Sequence, residues 1–177
     1  YESRGHTNPL AGCWAIAHQL SGLKRLKPPG THQKKPITPQ MLLWLVEATD
    51  PTNTAHVAFT TAALVAFFAF LRKSNVTTGK QRATDETQPL TAENVWIDFT
   101  TYTLWIKLTC TKTIQFGERV LFIPILGIRD HKLDPVWWMR RHLALSDVRA
   151  PTRSIFAHQS SPRGPWTNLT YADFTAR

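Results

Sequence analysis

Apolar residues run almost without interruption from Val57 to Leu71 and stop at the polar stretch Arg72-Lys73-Ser74-Asn75. A segment that is apolar on every side predicts a helix at the centre of a core. Asp50-Pro51, or Thr54, supplies the start signal, so this helix is expected from there to about Lys73, with the Arg72 guanidinium at its very end. Ahead of it, Thr38 followed by Pro39 and an apolar face of Met41, Leu42, Leu43, Leu45 and Val46 predicts a shorter helix to about Thr49. Thr77 to Pro89 has no apolar period and reads as a loop.

Beyond that loop the pattern changes from helical to extended. Val95–Phe99, Thr103–Leu108 and Arg119–Pro124 are rich in β-branched and aromatic residues, and they predict three strands in an antiparallel meander. Asp134-Pro135 restarts a helix, with Val136, Trp137, Trp138, Met139, Leu143 and Leu145 on one broad face. Ile155-Phe156-Ala157 is a short apolar piece, a turn-rich stretch follows, and Thr170 or Asn168 caps a helix opening at Ala172-Asp173-Phe174. The expected class is α+β, mainly helical with a small three-stranded antiparallel sheet.

At the other end, Leu10 to Leu26 is loosely helical, and the proline-rich, cationic stretch Lys27 to Pro36 reads as a linker. A boundary placed there gives a first segment of residues 1–33 and a main domain of residues 34–177. The chain opens without methionine and closes inside a helical pattern, which is expected of a piece of a longer protein.

Charge alters this picture. The 177 residues carry a formal net charge of +9, and between residues 1 and 35 Arg4, Lys24, Arg25, Lys27, Lys34 and Lys35 stand against the single acid Glu2. Such a balance points to a polyanionic partner, nucleic acid foremost. Much chemistry is excluded by what is missing. Cys13 and Cys110 have no metal-ligand spacing and read as ordinary thiols, and the seven histidines form no paired motif. Glycines are sparse and make no phosphate-cradling loop. The run ending at Leu71 is at the lower limit for a membrane span, contains His56, Thr60 and Thr61, and lacks interfacial Trp or Tyr close by. Trp44, Phe67, Phe68, Trp137 and Trp138 fall in apolar helical runs and read as core.

Several of these pieces together resemble a known family. Phe70-Leu71-Arg72-Lys73-Ser74, the Leu90-Thr91-Ala92-Glu93-Asn94-Val95 entry into the first strand, and Thr111-Lys112-Thr113 followed by Val120-Leu121-Phe122-Ile123-Pro124 occur in the order and spacing of the tyrosine recombinase, or phage integrase, catalytic domain. Lys35-Pro36-Ile37-Thr38 and Leu133-Asp134-Pro135-Val136 look most like its eukaryotic mobile-element branch. The resemblance covers roughly Lys34 to Arg177, and residues 1–33 are similar to the tail of the core-binding domain.

The resemblance implies strand breakage and rejoining in DNA recombination and integration, through a 3′-phosphotyrosyl intermediate, with no metal and no other cofactor. Fixed arginines must then neutralise the transition state. Arg72 matches the first of these as a phosphate clamp, and Lys112 matches the hairpin lysine that acts as general acid. Backbone contacts to double-stranded DNA are expected from Lys24, Arg25, Lys27, Lys34, Lys35 and Lys73. Self-assembly of the full-length protein on DNA is also implied, with no membrane and no small-molecule substrate, inside the cell and in the nucleus for a eukaryotic element. Two departures stand out. Asn75 occupies the place where family members often carry Glu or Asp, and no histidine is followed three residues later by arginine. Tyr1, Tyr102 and Tyr171 are not where the nucleophile is expected, so this polypeptide alone is expected to be inactive. Rival readings are a non-catalytic DNA-binding relic or domesticated protein, and a basic helical protein that docks on RNA or an anionic membrane.

Overall fold

The computed structural model describes Gln19 and residues 36–78, 89–109, 120–146, 153–159, 164–170 and 172–173. The chain divides into two units, Tyr1–Pro36 and Ile37–Arg177. Apart from the helical Gln19, all the elements below belong to the second. The expected helix over Leu10–Leu26 and the linker after it otherwise lie outside the described residues.

Helix α1 (Pro39–Glu47) begins where Thr38 Oγ1 accepts the Met41 N–H at 3.3 Å, with Pro39 in the first turn. There proline gives up only an N–H that would have no intrahelical partner. Helix α2 (Thr54–Phe68) is capped by Asn53, whose Oδ1 accepts from Ala55 and His56 at 3.0 and 3.2 Å. Asp50 does not start it; its carboxylate instead closes the preceding turn on Thr52.

Burial surrounds α2, from Val57 through Ala62 and again at Leu64 and Val65. One side (Phe59, Ala62, Val65) packs into a cluster with Leu104, Ile106, Ile125, Val136 and Met139. The other (Val57, Leu64) meets Leu42, Leu133 and Trp138. Its two buried threonines stay paired. The Thr61 hydroxyl lies 2.7 Å from Val57 O and 3.2 Å from Trp138 O, and Thr60 bonds Thr49 Oγ1 at 2.6 Å.

The helix does not reach Lys73. It ends at Phe68, because Phe70 turns to φ 51° and the chain reverses through two closing bonds, Phe70 N to Phe67 O (3.3 Å) and Leu71 N to Ala66 O (2.9 Å). That pair is the Schellman closure of a helix C-terminus. A separate short helix, α3 (Lys73–Val76), follows, and Arg72 lies between the two in extended backbone.

The sheet has the order β1-β2-β3 and is antiparallel throughout: β1 (Val95–Asp98), β2 (Thr103–Leu108) and β3 (Leu121–Leu126), with Trp96 opposite Trp105 and Trp105 opposite Pro124. A 3₁₀ turn, Ala92–Asn94, leads into it. The class is therefore α+β. The third strand runs two residues beyond the expected end at Pro124, since an edge strand tolerates proline. The first stops at Asp98, whose Oδ1 accepts the Thr100 N–H at 2.8 Å and begins the turn.

Helix α4 (Pro135–Leu145) starts at Asp134 as the capping pattern requires. Its inner face differs from expectation. Val136, Trp138, Met139 and His142 are buried, whereas Trp137 and Leu143 face solvent, as does Trp44 of α1 at 61% exposure. A full apolar stripe is wider than the surface α2 offers to α4, so flanking aromatics remain outside. An unanticipated two-residue hairpin, β4 (His158–Gln159) with β5 (Trp166–Thr167), follows. Thr170 Oγ1 then accepts the Asp173 N–H at 3.2 Å, while Asp173 Oδ2 takes the Thr170 N–H at 2.9 Å, a reciprocal cap for the helical Ala172 and Asp173. No helix among the described residues is long and apolar enough to cross a membrane.

Among the described residues, His142 is a histidine buried in the core, at 1% exposure. Its Nε2 lies 2.7 Å from the Ile155 carbonyl, which can only accept, so Nε2 carries the proton and the buried Nδ1 has no partner. Burial first, then the nearby His158, depresses its pKa from 6.5 to about 4. The folded state thus resists a proton that the unfolded chain takes readily. Stability is complete above pH 6.5 and falls as pH drops from 6.5 toward 4, by at most about 1.4 kcal/mol per pH unit. Melting temperatures between pH 7.5 and 5 should show this decline, and His142→Gln, which keeps a donor for Ile155, should flatten it; an unchanged slope in that variant would place the proton elsewhere.

Candidate functional site

Arg72 is exposed, yet its backbone is held from both sides. Before it, Leu71 is drawn into the core by the turn that ends α2. After it, Asn75 Oδ1 accepts the Arg72 N–H at 3.2 Å, and Asn75 N donates to Arg72 O at 2.9 Å. Asn75 is itself buried at 3% exposure, and its carbonyl accepts the Leu90 N–H at 2.8 Å. Leu90 O accepts from Ile155 N at 2.8 Å, and Ile155 O accepts from His142 on α4 at 2.7 Å. A guanidinium in water is therefore mounted on a backbone tied to the middle of the core.

Asn75 serves this mount through its amide oxygen. A carboxylate there would also accept from Arg72 N, but it would bring a charge into a buried position. The neutral amide avoids that cost, although its Nδ2 is buried without a hydrogen-bond partner. Lys73 is exposed at the first position of α3, one residue from Arg72, and its carbonyl accepts from Thr77 N and Thr77 Oγ1, both at 2.9 Å. Two cations thus follow a fixed turn, and beside them Phe70 is 94% exposed. A bulky side chain at positive φ costs roughly 1–3 kcal/mol. The remaining expected site residues, Lys24, Arg25, Lys27, Lys34, Lys35 and Lys112, lie outside the described residues.

A second feature was not foreseen. A cavity of about 730 Å³ is walled by Tyr102, Trp137 and Trp138, with Arg129, Lys132 and Arg140 around it; Arg72 does not line it. Tyr102 holds φ 52° and is fixed at every point. Its hydroxyl donates to Asp134 Oδ2 at 2.6 Å, its carbonyl accepts from Gly127 N at 2.9 Å, and the Arg129 guanidinium lies 4.6 Å from the ring centroid. A Cβ on Gly127 would overlap that ring, so glycine is required there. Burial, then the hydrogen bond to Asp134, raises the Tyr102 phenol above its ordinary pKa. A phenol so held is a structural donor to Asp134 and is not poised to attack. The isolated Gly127 after a strand was the available sequence signal for this close approach.

Among the described residues no cluster of histidine, cysteine or acidic side chains is arranged to hold a metal ion. No family model, curated protein or solved structure matches the chain.

Asp134 joins the cavity to the fold, since its other oxygen accepts from Val136 N at 2.9 Å and Ile128 N at 3.3 Å. Tyr102→Phe should cost about 1 kcal/mol, and Asp134→Ala roughly 2–4 kcal/mol, because it removes a cap and strands a partly buried hydroxyl. Denaturant unfolding of both variants checks the ordering, and equal losses would contradict it.

Proposed function

We propose that the chain is the amino-terminal part of a tyrosine recombinase catalytic domain, preceded by the tail of its core-binding domain, and that it binds duplex DNA. The observation that carries this reading is the mount of Arg72. An arginine meant only to cover apolar surface needs no fixed backbone, whereas a phosphate clamp gains from one, because little entropy is then lost on contact. The order around it supports the same reading: a buried helix, the arginine, a three-stranded antiparallel sheet and a helix opened by Asp-Pro.

In this function Arg72 holds non-bridging oxygens of the scissile phosphate in a fork, and Lys73 and the amino-terminal cations contact neighbouring phosphates. Lys112, which falls between β2 and β3 in the sequence, delivers a proton to the leaving 5′-oxygen. None of Tyr1, Tyr102 and Tyr171 stands where the family's nucleophile is expected, so the reading gives this chain DNA binding and not strand cleavage. A relic or domesticated protein would keep the binding and lack the cleavage, and the sequence following Arg177 separates the two.

Fluorescence anisotropy with a duplex oligonucleotide tests the reading. Affinity should fall steeply between 50 and 200 mM salt, with a log–log slope of several units. Arg72→Gln should weaken binding, reduce that slope by about 1 and leave the melting temperature unchanged, since only an exposed side chain is altered. A salt-independent affinity, or an Arg72→Gln variant that binds as wild type does, would refute the clamp.

A further inference from the structure

Among the described residues three that are not glycine hold positive φ: Phe70 at 51°, Tyr102 at 52° and Asp130 at 61°. Two of them carry their own explanation. Aspartate tolerates the left-handed region, and Tyr102 is compensated by Asp134, Gly127 and Arg129. Phe70 has no such compensation, because its side chain is almost wholly in solvent. Glycine in its place would make the same two bonds, to Phe67 O and from Leu71 N to Ala66 O, without strain and without an exposed ring. The turn therefore displays a ring that folding does not require.

The surroundings of the ring indicate its partner. Arg72 and Lys73 are exposed two and three residues further on. Leu71, between ring and cations, is packed against the core, so all three project from a rigid turn. An aromatic ring beside two cations matches the chemistry of a nucleic-acid strand, which offers flat base faces flanked by phosphates. A purely electrostatic grip would need the cations alone.

We propose that Phe70 stacks on the face of a nucleobase while Arg72 and Lys73 meet the flanking phosphates. The base face comes either from a duplex step that the ring helps to open or from an already unpaired base. This rests on the DNA-binding reading above and adds a contact that depends on stacking, which salt does not screen.

The test compares wild type with Phe70→Gly and Phe70→Trp in melting temperature and in affinity for two DNAs, a duplex carrying 2-aminopurine and a single strand of the same sequence. Phe70→Gly should melt no lower than wild type, because strain is relieved, yet bind about 5- to 100-fold more weakly. It should also lose the rise in 2-aminopurine fluorescence that reports an unstacked base, and Phe70→Trp should retain both affinity and signal. Loss on the duplex with loss of the fluorescence rise assigns the opened step; loss on the single strand alone assigns the unpaired base. Wild-type affinity of Phe70→Gly for both DNAs overturns the inference and leaves DNA binding standing, whereas failure of wild type to bind either DNA sinks both. A Phe70→Gly variant that melts several degrees lower while losing affinity makes the ring structural and overturns the inference. So does loss of self-association with DNA affinity unchanged, which assigns the ring to a second copy of the chain.

Discussion

Everything described in this molecule depends on enclosing one helix from all sides. α2 carries no charged residue from Val57 to Phe68, and it buries the greater part of its surface between two clusters. An apolar cylinder of this kind cannot rest on a sheet alone, because a sheet covers one face. The sheet and α4 take one side, and α1 with Leu133 and Trp138 takes the other. The polar groups left inside, Thr60 and Thr61, are tolerated because each finds an oxygen within hydrogen-bonding distance. The direction of α2 then fixes where the chain emerges, and so where Arg72 stands.

Where a local signal had one physical meaning, it was legible in the sequence. Thr38-Pro39 and Asp134-Pro135 pair a capping oxygen with a residue that gives up an unneeded N–H, and both helices start there, whereas the like pair Asp50-Pro51 only closes the turn ahead of α2. The strands were legible because β-branched and aromatic residues crowd into short runs between turns, and of the two caps the sequence offered ahead of Ala172, Thr170 or Asn168, it is Thr170 that accepts the Asp173 N–H. The end of α2 was not legible. Apolar residues continue through Phe70 and Leu71, and the glycine that usually marks a helix C-terminus is absent, so the pattern hid a turn made in spite of its side chain. Arg72 consequently stands free of the helix that seemed to carry it.

Exposure was misjudged for a related reason. Trp44 and Trp137 sit in apolar runs, but a helix packs only as much surface as its neighbours can cover, and neighbours are a matter of tertiary placement. His142 reversed the same error, since a polar residue near the end of α4 proved to be core. As for the candidate site, the sequence brought out Arg72 and Lys73 as cations at a structural boundary. It gave no warning that Asn75 would hold the Arg72 backbone, because its hydrogen bonds depend on how the turn closes.

The link from Asn75 to His142 through Leu90 and Ile155 is made almost entirely of main-chain atoms. Side chains at positions 90 and 155 answer only to packing, so substitution there is free among residues of suitable volume, with one exception. Proline cannot supply the N–H that either position donates. Descent of this chain under selection should thus leave a signature of exclusion at those two places: many apolar residues admitted, proline alone refused, and no co-varying pair to betray that the cation's mount and the buried imidazole are one connected assembly.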